Sequence, residues 1–462
     1  MGPSSASPSP VTLPAIGWCL RHALGLSAWK SFRGSRWALR VNPSSGNLHP
    51  TEAYVAAGGR VWHYAPDRHA LEERCVMAAD APRVPGGDPS TTFLVALTSI
   101  HWRESWKYGE RAFRYCQHDL GHAIAALRLA AALCGWRLAV LPRWSHAAVA
   151  ALTGVDRDDD FVEAEREDAA CVMLVGAGPL PDPLPAEDGA FLDAVRGGRW
   201  SGRANQLSED HVQWTFIDEV SKATARDTLD DVLSRAAALP HPETRPDRGL
   251  DARAVILQRR SALALDASST LDRPSFQHML RRVLPAAGPP WDALWWDACV
   301  HLAIFVHRVR DVEPGIYLLV RRAASEPRLR SAIAGAFDWE PMPGLPLWRL
   351  RTGDYRRIAR RVSCDQDIAA DGFFSLGMLA EFDTSLRERG ASFYRPLFWE
   401  SGVVGQVLYL EAEAAGARST GIGCFYDDAV HQLLGIEGHA LQSLYHFTVG
   451  MPVRDTRLTT EP

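Results

Sequence analysis

Lysine is nearly missing from this chain. Of its 50 basic residues only Lys30, Lys107 and Lys222 are lysines, and the rest are arginines. A GC-rich genome produces such a bias, so the scarcity carries no function by itself. An excess of positive charge is missing too. The net charge of -5 over 462 residues gives no reason to expect nucleic acid or an anionic membrane as partner. No run of about 18 apolar residues is free of charge, since His122 and Arg128 interrupt the best candidate, so no membrane span is expected. The opening MGPSSASPSP has neither a basic nor an apolar region and does not read as a secretory signal. After Gly2, Ala6 stands where a myristoylation motif requires Ser or Thr. The eight cysteines (19, 75, 116, 134, 171, 299, 364, 424) form no CxxC pair and no short-chain framework. They are expected to be reduced thiols of a cytoplasmic protein, with neither disulfide nor zinc.

What is present is a repeat. Ala148–Val155 and Ala429–Ile436 share the pattern A-V-x-x-L-x-G-(V/I), and each is followed by an apolar strand ending in Val-Gly, at Val175-Gly176 and Val449-Gly450. Each also follows a helix rich in small residues, Gln117–Cys134 in one half and Gly402–Gly416 in the other. Earlier still, both halves carry a hairpin pattern. Glu52–Ala57 and Arg60–Tyr64 flank Gly58-Gly59, and Leu302–Val309 and Gly315–Val320 flank a turn with Pro314-Gly315. The reading is two homologous α+β domains: residues 1–205, a linker over 206–250, and 251–462. Within the linker one helical stretch is expected around Asp218–Ala238, ending in the turn-rich PHPETRPDRG. The acidic stretch 156–168 reads as solvated surface. Gln117–Cys134 is apolar nearly all round, which makes it a buried helix. Its alanines permit another helix to approach closely, as at an internal dimer interface.

Four segments could carry chemistry. Pro43-Ser44-Ser45-Gly46-Asn47-Leu48-His49, closed by Pro50, offers hydroxyls, a carboxamide and an open glycine backbone to a flat heteroaromatic ring. The plain alternative is a polar turn before a strand. Arg259-Arg260-Ser261, at the head of an amphipathic segment, suits a phosphate monoester, or else a solvated helix face. Lys107-Tyr108 is the best proton-transfer pair. A partly desolvated lysine can accept a proton near neutral pH and an arginine cannot. Gly421 and Gly423 lie before a helix start at Asp427-Asp428, where amides could meet a phosphate or a ring edge. His118 and His122 share a helical face but bring no third ligand, so structural histidines are expected. Cys364 reads as a buried thiol rather than a nucleophile.

The loop and the arginine triplet together resemble the nitroreductase-like flavoenzymes. Within that superfamily the closer resemblance is to the SagB/ThcOx-type dehydrogenases, including tandem forms. Arg40-Val-Asn-Pro-Ser-Ser-Gly-Asn-Leu-His-Pro50 is similar to their flavin loop, and Val61-Trp-His-Tyr64 to the hairpin after it. Trp106–Tyr115 running into Asp119-Leu-Gly-His-Ala123 resembles their Lys-Tyr segment. In the second half Ser363–Ala369, Gly402–Tyr409 and Thr420–Phe425 resemble the tandem members. The resemblance covers about 17–178 and 252–455.

It implies two tandem nitroreductase-like domains, each a mixed sheet flanked by helices, forming an intrachain pseudo-dimer with noncovalent FMN at the domain junction. Arg40, Pro43, Ser44, Ser45, Gly46 and Asn47 would meet the isoalloxazine ring. Arg259, Arg260 and Ser261 would hold the phosphate and ribityl groups, with Gly421 and Gly423 nearby. Lys107 and Tyr108 would act on a peptide or small-molecule substrate while hydride passes to flavin N5.

Two departures matter. The first half has only Ser31-Phe-Arg-Gly-Ser-Arg36 in place of an Arg-Arg-Ser segment, and its opening helix is expected to be short. The second half has Leu284-Pro-Ala-Ala-Gly-Pro-Pro-Trp291 where a flavin loop should stand. Parts for one FMN are therefore expected per chain. Azoline-type oxidation with O2 as acceptor is the implied activity. An NAD(P)H-dependent nitro or quinone reductase and a non-catalytic scaffold subunit are the alternatives.

Overall fold

The computed structural model describes residues 7–88, 90–227 and 249–459. Gly2, the C-terminal part of the helical stretch expected around Asp218–Ala238, and all but the last residue of PHPETRPDRG lie outside the described residues.

The chain divides into two compact units, and no single cut in the sequence separates them. One holds residues 7–28, 38–227 and Gly288–Trp296; the other holds Trp29–Trp37, 249–287 and 297–459. Each unit thus includes a short stretch from the opposite half of the sequence. In the first, Arg128 of the long helix grips Asp292 with two hydrogen bonds, 2.8 and 2.7 Å. In the second, Lys30 pairs with Asp455 at 3.0 Å and Trp29 sits opposite Thr459 in a short antiparallel ladder. Residues 206–227, expected as linker, fold onto the first unit. Ile217 of the helix Thr215–Ala223 is buried there, and the Arg226 amide donates to His146.

The first unit is built on a seven-stranded sheet. Its order is Arg137–Val140, Asp168–Gly176, Thr92–Ser99, Thr51–Ala57, Arg60–Ala65, Ala70–Val76, Arg199–Trp200. The second has seven strands in the same arrangement: Arg418–Ile422, Leu441–Gly450, Phe374–Glu381, Val300–Val306, Gly315–Leu319, Leu347–Thr352, Glu340–Met342. Every ladder between these strands is antiparallel where a mixed sheet was expected, and a parallel bridge, Ser261 to Ser419, joins the edge strand of the second sheet. Hairpin connections and helical returns that reverse direction leave no need for a parallel crossover.

Local chemistry explains the repeated pattern. In both units A-V-x-x-L-x-G is a short helix, His146–Thr153 or Asp427–Leu434, that ends on a left-handed glycine. Gly154 has φ 76° and Gly435 φ 65°, a conformation that disfavours any side chain with a Cβ. Alternate strand residues Tyr54, Ala56, Leu94, Ala96, Val172 and Leu174 pack with Leu152, Phe191 and Val195 into one core, as the two-residue strand period requires. Gly58 and Gly59, both at positive φ, form the expected two-residue hairpin turn. The long helices begin earlier than their apolar stretches suggest, at Ala112 and Tyr394. Gly109 (φ 58°) stops the preceding helix Trp102–Tyr108, and Pro396 is tolerated because it lies in a first turn.

The cysteine expectation fails at one pair. Cys364 and Cys424 form a disulfide, and Cys364 is half-buried rather than a buried free thiol. The 60 residues between them hid the proximity that folding creates. The other six cysteines are free and buried. No helix among the described residues is long and apolar enough to cross a membrane.

Candidate active site

The first unit brings its loop and its Lys-Tyr pair together. Lys107 and Tyr108 close the helix Trp102–Tyr108, which follows the fully buried strand Thr92–Ser99. The loop Pro43–Pro50 enters the neighbouring strand Thr51–Ala57. Gly46 has φ 59°, and a Cβ built on it would strike the Tyr108 hydroxyl and stand 3.0 Å from the Lys107 ammonium. Glycine is therefore required twice over, for backbone conformation and for space. Lys107 is exposed, not partly desolvated as expected; Gly46 is exposed and Tyr108 half-buried, and Lys107 Nζ lies 5.1 Å from the centre of the Tyr108 ring. Tyr115 meets that ring edge-on at 4.7 Å. Burial, reinforced by the Glu104 carboxyl, pushes the Tyr108 hydroxyl well above its ordinary range, so it keeps its proton.

The loop's own polar groups are turned to holding its shape. The Asn47 amide donates to the Ala38 carbonyl at 2.8 Å and its oxygen faces His49 Nε2 at 3.0 Å. The Ser44 hydroxyl accepts the His49 N–H at 2.8 Å. Ser45 donates to Asp119 through its N–H (3.1 Å) and its hydroxyl (3.2 Å). Arg40 donates to the Thr51 carbonyl and Arg103 to the His49 carbonyl, closing the far end. Burial, with Arg40 and Arg103 adding, lowers His49 well below the usual histidine range and leaves it neutral. The expected picture of hydroxyls and a carboxamide reaching for a ring is thus revised. Backbone around Gly46, with Lys107 and Tyr108, forms the open surface.

Two buried carboxyls lie beneath. The carboxyl of Glu104, on the same helix as Lys107, receives among the described residues only a long 3.5 Å contact from Ser44 Oγ. Burial pushes it up to about 10, with Asp119 adding and Lys107 opposing. Burial also pushes Asp119 up, to about 7, against the lowering hydrogen bonds from Ser44 and Ser45. The role of Glu104 was not read from the sequence, although its i, i+3 spacing from Lys107 was the available signal. Nor was the bracing of this helix by residues 206–227 foreseen. The Trp214 ring covers Gly109, and His211 packs on Trp102 at 4.9 Å.

The second unit gathers the other segments. Arg259-Arg260-Ser261 follows the helix Ala252–Gln258 rather than leading one, so its cations stand at a helix C-terminus. Both arginines are buried. Arg259 stacks over the Tyr409 ring at 4.9 Å, and Arg260 donates to the carbonyls of Leu257 and Arg259 at 2.6 Å. Burial lowers the Arg259 guanidinium from its ordinary value. Ser261 Oγ lies 2.8 Å from Tyr409 Oη, which also accepts the Gly421 N–H at 2.9 Å. Gly421 is thus a strand residue, paired opposite Phe447, and a Cβ there would collide with the Tyr445 hydroxyl. Gly423 falls just beyond the strand and is half-buried. His118 and His122 are buried in the first unit's long helix.

The fold is shared with a protein from Anabaena variabilis provisionally assigned as a nitroreductase. The TM-score is 0.69 at 20% identity, over 95% of this chain and 88% of that one. The E. coli microcin synthetase McbBCD complex with truncated pro-MccB17 bound overlaps 37% of this chain and 65% of that one, at 21% identity and TM-score 0.29. NADPH:FMN oxidoreductase from Vibrio harveyi overlaps 46% and 72%, at 14% identity and TM-score 0.27. Only the first likeness is deep enough to define the architecture, which is nitroreductase-like. The nitroreductase family model itself matches residues 316–451, within the second unit. No curated protein matches the sequence.

Proposed function

We propose that this protein is an FMN-dependent oxidoreductase of the SagB-type dehydrogenase group. Its reaction would oxidise a ring-type C–N or C–S bond in a peptide or small molecule, with O2 as the final acceptor and the protein in the cytoplasm. The two units would be tandem domains of one ancestry, as their matching strand orders suggest. The observation that carries the reading is the approach of Lys107 and Tyr108 to Gly46.

The residues suit the cofactor. An exposed glycine backbone admits a flat ring, and the buried guanidinium groups of Arg259 and Arg260 are of the chemistry that binds a phosphate. Arg259, Arg260 and Ser261 would hold that phosphate, and Pro43–Asn47 with Arg40 behind would form the ring platform. Bound FMN supplies a two-electron acceptor for the substrate's hydride. The chain's task is the accompanying proton. Lys107 accepts it at Nζ, and the Tyr108 hydroxyl, held protonated, donates a hydrogen bond to orient the substrate.

Replacement of Lys107 by Ala should lower turnover of a thiazoline-containing peptide by about 100-fold or more, the usual scale of a lost general base, with FMN content retained. Full turnover in Lys107→Ala would remove the proton-acceptor role.

A further inference from the structure

We propose that Glu104 stands as a neutral carboxylic acid beneath the Ser44–Ser45 loop, with Asp119 as the charged member of the pair, and that Glu104 is a positioning residue which leaves Lys107 without a counter-ion. The geometry separates the two acids. Among the described residues Glu104 is fully buried, its Oε2 has no hydrogen-bond partner, and its Oε1 has only the 3.5 Å contact from Ser44. Asp119 is equally buried but receives both the N–H and the hydroxyl of Ser45. Two buried carboxyls in one polar cluster cannot both ionise at low cost, and the charge settles on the one with donors. An ionised carboxylate with no donor would bear its desolvation penalty alone.

The groups facing Glu104 are few. Lys107 lies on its own helix, Ser44 on the loop, and Asp119 and Cys116 on the long helix. Tyr108 is next to Lys107, and burial pushes both its hydroxyl and the Cys116 thiol up, so neither supplies charge. Lys107 is the cation among them, and its exposure lets water screen it. A carboxylate below Lys107 would bind the ammonium as a counter-ion. A neutral acid provides no such counter-ion to hold Lys107 in its charged form, and it is the uncharged amine that must accept the substrate's proton. This consequence rests on the oxidoreductase reading above, whereas the protonation state does not.

The pH signature follows from the direction of the shifts. Glu104 moves from 4.5 up to about 10, so its contribution to folding is full below pH 4.5 and is lost as pH rises toward 10. Asp119 behaves likewise between 3.8 and about 7.

Infrared spectra of the full chain at pH 8, unlabelled against carboxyl-13C-glutamate-labelled, test the state directly. The expected result is a labelled carbonyl stretch of a protonated glutamic acid that is lost in Glu104→Gln. That variant should also melt above wild type at pH 9 and with it at pH 4. A wild type with no such band, or a band unchanged in Glu104→Gln, would overturn the proposal. If Glu104→Gln does not fold, Asp119→Asn replaces it. Without the Asp119 charge the band should titrate at least about one pH unit lower, and an unmoved titration overturns the proposal. Neither readout needs flavin or turnover, so failure here leaves the FMN reading standing, and failure to bind FMN leaves this one standing.

Discussion

The long helix of each unit turns one buried carboxylate toward the chain that enters the central hairpin, and the two are treated differently. Asp119, in Ala112–Leu133, accepts hydrogen bonds from Ser45 in the loop before the strand Thr51–Ala57. Glu400, in Tyr394–Ala414, accepts the N–H groups of Cys299 and Val300 where the strand Val300–Val306 begins. Glu400 is also paired with Arg321, and both are almost fully buried. Arg321 in turn donates to the carbonyls of Val283 and Val300. One unit neutralises its carboxylate in a network that fixes the start of a strand. The other leaves it beside a second acid, under a loop whose outer face is open. A buried carboxylate thus braces a strand in one unit and, in the reading proposed above, lies under the site in the other. The second unit also lacks the Pro-Ser-x-Gly-Asn loop that such a site would need.

Breaking the second unit's network should have the largest effect. Arg321→Met leaves Glu400 buried without its cation and should cost about 3–5 kcal/mol, read as a fall in denaturant midpoint. A loss under about 1 kcal/mol would mean the pair is not the anchor described. Gly46→Ala comes next. The left-handed backbone alone costs about 1–2 kcal/mol, and the added methyl must displace Tyr108, so FMN retention on gel filtration should fall as well. Retained FMN would detach the loop from the cofactor. Asp119→Asn should change stability least, by under about 1 kcal/mol at pH 5, where the native acid is already largely protonated. Relative to wild type it should improve as pH rises from about 4 to about 7 and level off above that. A loss as large as that of Arg321→Met would erase the contrast between the two units.

Much of this fold was legible in the sequence, for physical reasons that differ by element. Gly58-Gly59 and the glycines closing the two A-V-x-x-L-x-G helices demand positive φ, and the structure uses them so. The apolar character of Gln117–Cys134 marked its burial but not its beginning, because Phe113, Tyr115 and Cys116 interleave with charged residues. The exchange of residues 29–37 and 288–296 between units left no local signal, since short stretches of pairing depend on distant partners. The Cys364–Cys424 bridge was hidden for the same reason. Of the site, Lys107, Tyr108 and the Gly46 loop were named from the sequence, and the structure draws them together. What the sequence obscured was direction. Ser44, Ser45 and Asn47 hydrogen-bond back into the protein, and Gly421 serves Tyr409. Side-chain type alone does not say which way a hydroxyl points.

The visible absorption spectrum of the purified chain, with its released chromophore quantified, bears most directly on the central claim. The expected result is flavin absorption from FMN at about one per chain, the stoichiometry implied by the single proposed set of cofactor-holding segments. A colourless protein that takes up no added FMN would contradict the account and leave a nitroreductase-like scaffold without flavin chemistry.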